Sequence, residues 1–364
     1  MIQRQDSDST LNEPAAATPR RGPLPSLLSW LGPIASWMYA RELNRRNRAF
    51  DAGRGVVTFD RPVLSIGNLS VGGTGKTPTV AWLLERLRKA GLDPCVAMRG
   101  YAASDGVSDE AELYRHAFED LPVVAQANRT EGLLDLFASE RGEAVNVVVL
   151  DDGFQHRRVA RDFDLVLIDA RSSPWEDRLL PAGWLRELPA ALARAHGVLL
   201  THAHDAGQMR RLAARVREVM PRGVIASATH AWSHLEVVEA GGARNESVGW
   251  LKHRRVGACC AIGSPEGFLS MVRAACGREL AATMVLRDHD PYGPATVSKL
   301  RTLCQSCEVL VVTPKDWSKL QRIPAEFWPC AVAVPQLKLN FVEGEEALAA
   351  AMIDAARSQP GNAE

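Results

Sequence analysis

Residues 63–77 constrain this chain more than any other stretch. An apolar run, Val63 to Ile66, leads into Gly67-Asn68-Leu69-Ser70-Val71-Gly72-Gly73-Thr74-Gly75-Lys76-Thr77. After it Val80, Leu83, Leu84 and Leu87 recur at helical spacing, and Gly91 stops the pattern. Strand, glycine loop and helix in that order are the context a phosphate-binding loop requires. Glycines let backbone N–H groups curl around phosphate oxygens, the lysine reaches the β- and γ-phosphates, and the threonine hydroxyl is suited to Mg²⁺. Ser70, Val71, Gly72, Gly73, Thr74, Gly75, Lys76 and Thr77 are therefore the expected nucleotide cradle. The general pattern has glycine six residues before the lysine, and here that position is Ser70.

The clearest buried strand, Val145 to Leu150, runs into Asp151-Asp152-Gly153-Phe154-Gln155-His156. An apolar strand ending in aspartate brings a carboxylate to the metal beside a phosphate loop, so Thr77 and Asp151 are the expected Mg²⁺ ligands. Pro94–Met98, Leu165–Ile168 and Val198–Thr201 read as further short strands, and Met209, Leu212, Ala213, Val216 and Met220 as a helix. The alternation predicts an α/β fold: a P-loop NTPase-like parallel sheet covered by helices on both faces. From Val224 to Val238 the pattern turns alternating and β-like, and a second, smaller α/β unit opens with the strand Val256–Ile262. The expected division is a disordered tail at 1–21, a membrane-associated helix at 22–48 and a P-loop kinase domain at 49–223. A β-like linker at 224–245, a smaller C-terminal domain at 246–345 and a terminal helix and tail at 346–364 complete it.

The 364 residues carry 43 basic and 43 acidic side chains, a balance that argues against nucleic acid bound by bulk electrostatics. Seven cysteines without paired spacing read as reduced thiols. The single CxxC, Cys304 and Cys307, has no second pair to complete a zinc site, and His230 and His234 lack companions at ligand spacing. Gly22 to Ala40 holds no charged residue and is rich in Leu, Trp, Ile and Met, with Arg41, Arg45, Arg46 and Arg48 following. Pro25, Gly32 and Pro33 interrupt the run, which favours a segment lying on the bilayer over one crossing it; a buried core helix is the third reading. In either membrane reading the arginines keep the following domain on the cytoplasmic side.

Other groups carry chemistry only in combination. Asp109-Glu110 begins a helix after a Ser-, Gly- and Asp-rich loop, where the helix dipole favours negative charge. Arg178 and Arg186 flank Leu180-Pro181-Ala182-Gly183, and guanidinium groups can grip a phosphate bidentately. In Asp288-His289-Asp290 the carboxylates would raise the imidazole pKa and orient its ring.

With these motifs laid out, the chain resembles the tetraacyldisaccharide 4′-kinases, which phosphorylate the lipid A precursor of Gram-negative bacteria. The resemblance spans roughly residues 24–345. It rests on residues 67–78, Arg99-Gly100-Tyr101, Asp109-Glu110, Asp151 to His156, Leu180 to Gly183, and Leu185-Arg186-Glu187. In the second unit it rests on Ile262-Gly263 with Pro265 and Phe268, Asp288-His289 with Tyr292, and Thr313 with Lys315-Asp316. Ser70 is itself the family's form of the loop. Ser108 and Ala111 around the Asp-Glu pair, and Ala102-Ala103 after Arg-Gly-Tyr, depart from the family pattern.

The resemblance implies transfer of phosphate from ATP to the 4′-hydroxyl of a tetraacyldisaccharide 1-phosphate, at the cytoplasmic face of the inner membrane, in a cleft between two α/β units. It implies ATP and Mg²⁺ as the small-molecule requirements, and a lipid A disaccharide precursor and a lipid surface as partners, with no protein partner required. Asp109 and His289 map onto its catalytic pair, with either as proton acceptor, and Asp151 and Asp152 onto its second acidic motif; in the phosphoryl transfer this predicts, Asp152 is expected to position the base or the outer metal shell. The alternatives are a P-loop GTPase or metallochaperone-like switch and a non-catalytic ATP-binding membrane protein. The first would usually carry Asn/Thr-Lys-x-Asp, which Thr313-Pro314-Lys315-Asp316 does not match.

Overall fold

The computed structural model describes residues 22–23, 30–100, 109–263, 265–288 and 290–358, and at 109–110 the backbone alone. The expected tail at 1–21, most of the apolar run before residue 30, the loop at 101–108, the Asp109 side chain and His289 lie outside the described residues.

In chain order the strands are β1 (Val63–Asn68), β2 (Pro94–Met98), β3 (Val123–Ala125), β4 (Val147–Asp151), β5 (Phe163–Asp169), β6 (Gly197–Thr201), β7 (Val224–Glu239), β8 (Gly242–Glu246), β9 (Val256–Cys260), β10 (Ala282–Val285), β11 (Val309–Val312) and β12 (Ala331–Glu343). The helices are α1 (Gly32–Asp51), α2 (Lys76–Lys89), α3 (Asp109–Ala117), α4 (Arg129–Phe137), α5 (Glu140–Glu143), α6 (Ala206–Val219), α7 (Pro265–Cys276), α8 (Pro294–Cys304), α9 (Pro314–Leu320) and α10 (Glu345–Arg357). The twelve strands of the described residues join one sheet, ordered β10-β9-β11-β12-β7-β6-β5-β1-β4-β2-β3 with β8 on β7.

Strand residues alternate between two buried faces, as a parallel sheet covered on both sides requires. In β1, β4 and β5, Leu64, Ile66, Val147, Val149, Leu165 and Leu167 pack with α2, α3 and α10. Val63, Val148 and Leu150 point the other way, onto Leu133 of α4. Val166 and Ile168 join Leu212 and Val216 of α6. The second unit repeats the plan, with α7 on one face and α8 and α9 on the other.

The units are joined by two long strands. The start of β7 runs parallel to β6, Gly197 opposite Val224 and Thr201 opposite Ala228. Its far end pairs antiparallel with the start of β12, Val238 opposite Val332, and β12 runs parallel to β11 there. Strands of the first unit therefore point toward the second, and those of the second point back. Both sets of carboxyl ends face the same gap, the place where open α/β sheets bind ligands. The stretch read from sequence as a linker at 224–245 is β7 and β8, integral to the sheet. Strand β12 then carries the chain back to the first unit, where Leu348, Met352 and Ala356 of α10 enter the core beside α2 and Arg86 pairs with Glu345.

Gly67 shows how closely the loop's strand approaches its neighbour. A Cβ there would fall 2.5 Å from Phe154 Cβ and 2.7 Å from its amide nitrogen, too close for either to stay in place. Gly67→Ala is expected to destabilise the chain by about 1–3 kcal/mol, read as a lower midpoint in denaturant unfolding; an unchanged midpoint would contradict this packing.

Candidate active site

The phosphate loop leaves β1 through a short antiparallel pairing with the segment 184–186. Arg186 N donates to Leu69 O at 2.7 Å, Val71 N to Trp184 O at 2.9 Å, and Ser70 bridges Leu185. Ser70 is thus held extended in a ladder, which explains why glycine is not needed there. The turn itself needs glycine: Gly72 and Gly75 have φ of 129° and 87°, in the left-handed region. Asn68 Nδ2, fully buried, donates to Thr74 Oγ1 at 2.9 Å and braces the loop from below. Gly75 caps α2, so Lys76 and Thr77 open the helix whose N-terminus faces the loop.

Strand β4 lies beside β1, with Asp151 opposite Ile66. The next residue, Asp152, has φ of 53°, and Gly153 N then returns to Ile66 O at 3.0 Å. This turn brings Asp152 to the lysine: Lys76 Nζ is 3.5 Å from Asp152 Oδ1. Arg186 Nη1 donates to both Asp152 oxygens, at 2.9 and 2.7 Å, and Arg129, buried, donates to the Asp152 carbonyl at 3.1 Å. Burial works to raise the Asp152 pKa, but Lys76 and Arg186 outweigh it and the carboxyl titrates below the usual range. Asp151 goes the other way: burial raises it, opposed by Lys76 and by Tyr114, whose hydroxyl donates to Oδ2 at 2.8 Å.

A second layer ties this corner to the rest of the chain. Gln155 Nε2 donates to Asn68 O at 2.9 Å and to Glu187 Oε1 at 3.1 Å, and Glu187 also takes Arg194 at 2.7 Å and Asn47 at 3.3 Å. Tyr39 of α1 donates to Arg186 O at 3.0 Å. Arg186, offered by the sequence for an acceptor phosphate, is here engaged with Asp152, while the Arg178 side chain is exposed. Across the gap, Lys315 Nζ binds Asp288 Oδ1 at 3.0 Å and Lys319 Nζ binds Asp290 O at 2.8 Å. These bonds fix the two residues flanking His289. Asp316, fully buried, accepts from Ala261 N and Thr313 Oγ1 and so serves the fold.

Sequence reasoning brought together Lys76, Asp151 and Asp152, and offered Arg186 for the acceptor phosphate, whereas the structure places it on Asp152. It missed Tyr114 and Arg129, whose only sequence signals are a tyrosine within the apolar face of α3 and an arginine at a helix start. It also missed that His230 sits against the loop, where a Cβ on Gly75 would collide with its Nε2, and that its ring packs at a tilt on His202, centroids 4.6 Å apart. Cys304 and Cys307 are buried free thiols, with Cys307 4.0 Å from Cys330, and among the described residues no group of three or more His, Cys, Asp or Glu side chains is placed to hold a metal ion.

A glycine loop with its lysine, two aspartates at the neighbouring strand end and an arginine closing the corner define a P-loop phosphotransferase. The sequence profile of the tetraacyldisaccharide-1-P 4′-kinases (LpxK) matches residues 28–357, and the chain belongs to that family. It is 35% identical over 312 residues to the tetraacyldisaccharide 4′-kinase of Geobacter sulfurreducens, covering 80% of this chain and 85% of that one. It is 33% identical over 312 residues to that of Chlorobaculum tepidum, covering 80% and 86%. A crystal structure of LpxK from Aquifex aeolicus in complex with ATP superimposes with a TM-score of 0.69 at 28% identity, covering 90% of this chain and 99% of that one.

Burial, reinforced by His202, holds His230 down at about 4 from 6.5, and burial with Arg129 does the same to His156. Between these values the unfolded chain binds protons that the folded chain does not. Stability is therefore full above about pH 6.5 and falls as pH drops toward 4, by an amount on the order of 3 kcal/mol for the well-buried His230 and by less for His156, which solvent screens in part. Denaturant unfolding at pH 7, 6, 5 and 4 should show this slope, and His230→Gln should reduce it to the part that His156 contributes; an identical slope in the variant would refute the assignment.

Proposed function

We propose that the chain transfers the γ-phosphate of ATP to the 4′-hydroxyl of a tetraacyldisaccharide 1-phosphate at the cytoplasmic face of the bacterial inner membrane. The observation that carries this reading is the phosphate corner of Lys76, Asp152 and Arg186 at the carboxyl ends of β1 and β4, in a chain of the kinase family. The sugar oxygen forms a bond to the γ-phosphorus as the bond to the β,γ-bridging oxygen breaks. ADP carries off the charge, which the Lys76 ammonium neutralises, and the hydroxyl proton passes to the pair Asp109 and His289. Asp152, clamped between two cations, stays ionised and holds Lys76 and Arg186 at the phosphates.

The donor set fits Mg²⁺. Asp151 Oδ1 is a buried carboxylate oxygen without a hydrogen-bond partner, and Thr77 supplies a hydroxyl at the start of α2. Bound there, the ion would neutralise β- and γ-phosphate oxygens; the residues that would hold it are Asp151 and Thr77.

The lipid acceptor accounts for α1. Ser36, Tyr39 and Asn47 bond to the segment 179–187, whereas Trp30, Ile34, Trp37 and Met38 are 70%, 58%, 64% and 61% exposed on the same helical segment. No helix among the described residues is long and apolar enough to cross a membrane; the exposed apolar side chains of this segment are what support the interfacial placement proposed.

Incubation with ATP and the disaccharide 1-phosphate should yield a product heavier by one phosphoryl group in mass spectrometry. Lys76→Ala should abolish it, and His289→Ala and Asp109→Ala should each lower kcat by about 10²–10⁴-fold; unchanged turnover in both would overturn the base assignment. For the membrane contact, Trp37→Glu with Met38→Glu should weaken binding to anionic vesicles by at least about tenfold and leave ATP binding in detergent unaltered. Equal vesicle binding would remove the anchor role of α1.

A further inference from the structure

The Tyr114 hydroxyl is unexplained by packing. The side chain is 1% exposed within the core between β1, β4 and α2, where a phenylalanine ring would fill the same space. Burying a hydroxyl is unfavourable unless it is bonded, and this one donates to Asp151 Oδ2 at 2.8 Å. Asp151 Oδ1 is thereby the oxygen left without a partner. Tyr114 belongs to α3, which begins at Asp109 and touches more than one part of the cleft. Its His116 Nε2 lies 3.2 Å from Glu236 Oε2 on β7, and the helix packs on α9, which carries Lys315 and Lys319. Those lysines hold Asp288 and Asp290, on either side of His289.

We propose that Tyr114 is a positioning residue: its bond to Asp151 clamps the helix that begins at Asp109 to the acidic end of β4, so that the nucleotide wall and the base-bearing wall are set together. The inference rests on the kinase reading for the role of Asp109, and on the geometry alone for the coupling. One carboxylate oxygen is oriented by the tyrosine and the other is left for the cation, so nucleotide bound with Mg²⁺ orders α3 through Asp151. No other side chain of α3 is placed to do this by hydrogen bonding to β4 among the described contacts.

The test is Tyr114→Phe in the full chain, which keeps the ring and removes only the hydroxyl. Three quantities are read: affinity for a fluorescent ATP analogue with and without Mg²⁺, hydrogen exchange of the amides of Asp109–Ala117, and kcat on the disaccharide. In the wild type, Mg²⁺ should tighten the nucleotide and the Mg²⁺–nucleotide pair should slow exchange in α3. In the variant the tightening should fall by about tenfold, the added protection of α3 should disappear, and kcat should fall more than KM for ATP rises. Mg²⁺-dependent tightening and α3 protection equal to wild type would overturn the proposal, as would losses that merely follow a lower folded fraction in thermal unfolding. Wild-type protein that shows the tightening and protection but leaves the disaccharide unmodified would refute the acceptor reading and not the coupling.

Discussion

Antiparallel pairing of β7 with β12 is the constraint from which the site follows. Each half of the sheet is parallel within itself, and a parallel half-sheet offers its ligand-binding groups at one end only. Joined by parallel pairing, the two halves would present those ends to the same side of one broad sheet. The antiparallel ribbon turns one half around, so that the loop after β1 and the acid pair at the end of β4 look toward the loops after β9, β10 and β11. The strands are long enough to serve both halves, since β6 pairs with one end of β7 and the β11–β12 pairing occupies the other. A cleft between two walls is thus a consequence of strand direction, and α10, which crosses back with β12 to pack on α2, binds the second unit to the first at its base.

Within that cleft two adjacent aspartates are given opposite electrostatics. Asp152 turns out of the strand through a left-handed residue and meets Lys76 and Arg186, which keep its carboxyl charged in spite of burial. Asp151 stays in the strand, fully enclosed, with one neutral hydrogen bond and a more distant lysine. A buried carboxylate with an unpaired oxygen is costly in isolation and is tolerated where a cation can complete it. The first aspartate has the surroundings of a metal ligand and the second those of a counter-charge that holds two cations in place, a separation of roles by environment rather than by residue type.

How much of this was legible in the sequence depended on whether the interaction was local. The loop from Gly67 to Thr77 and the strand ending at Asp151 are short segments whose pattern and chemistry coincide, and both formed as the periodicity predicts. The ribbon was not legible: alternation in Val224–Val238 marks a strand, but neither its partner, far off at Ala331–Glu343, nor the direction of pairing is written locally. For the same reason a boundary drawn across 224–245 cuts through a continuous strand. Ser70 looked like a departure from the motif because its reason, a bridge to Leu185, is also remote. Tyr114 was invisible because a tyrosine on a buried helix face reads as core, and only the neighbouring carboxylate makes its hydroxyl significant. The two residues proposed for proton transfer are the ones for which the sequence remains the whole argument.

The same remoteness bears on α1. A tether whose only task was to keep an enzyme near a membrane would need an apolar face and a flexible connection. Here the helix is instead bonded along its inner face to the segment that closes the phosphate corner: Ser36 to Leu179, Tyr39 to the Arg186 carbonyl, Asn47 to Glu187. With the outer face on lipid, as proposed, those bonds fix the distance of Asp152 and Lys76 from the surface. An acceptor that stays in the bilayer because each buried methylene contributes roughly 0.8 kcal/mol can present its sugar only within a narrow range of heights. On that proposal a rigidly docked helix would match the corner to that range, which a loose anchor of equal affinity would not do.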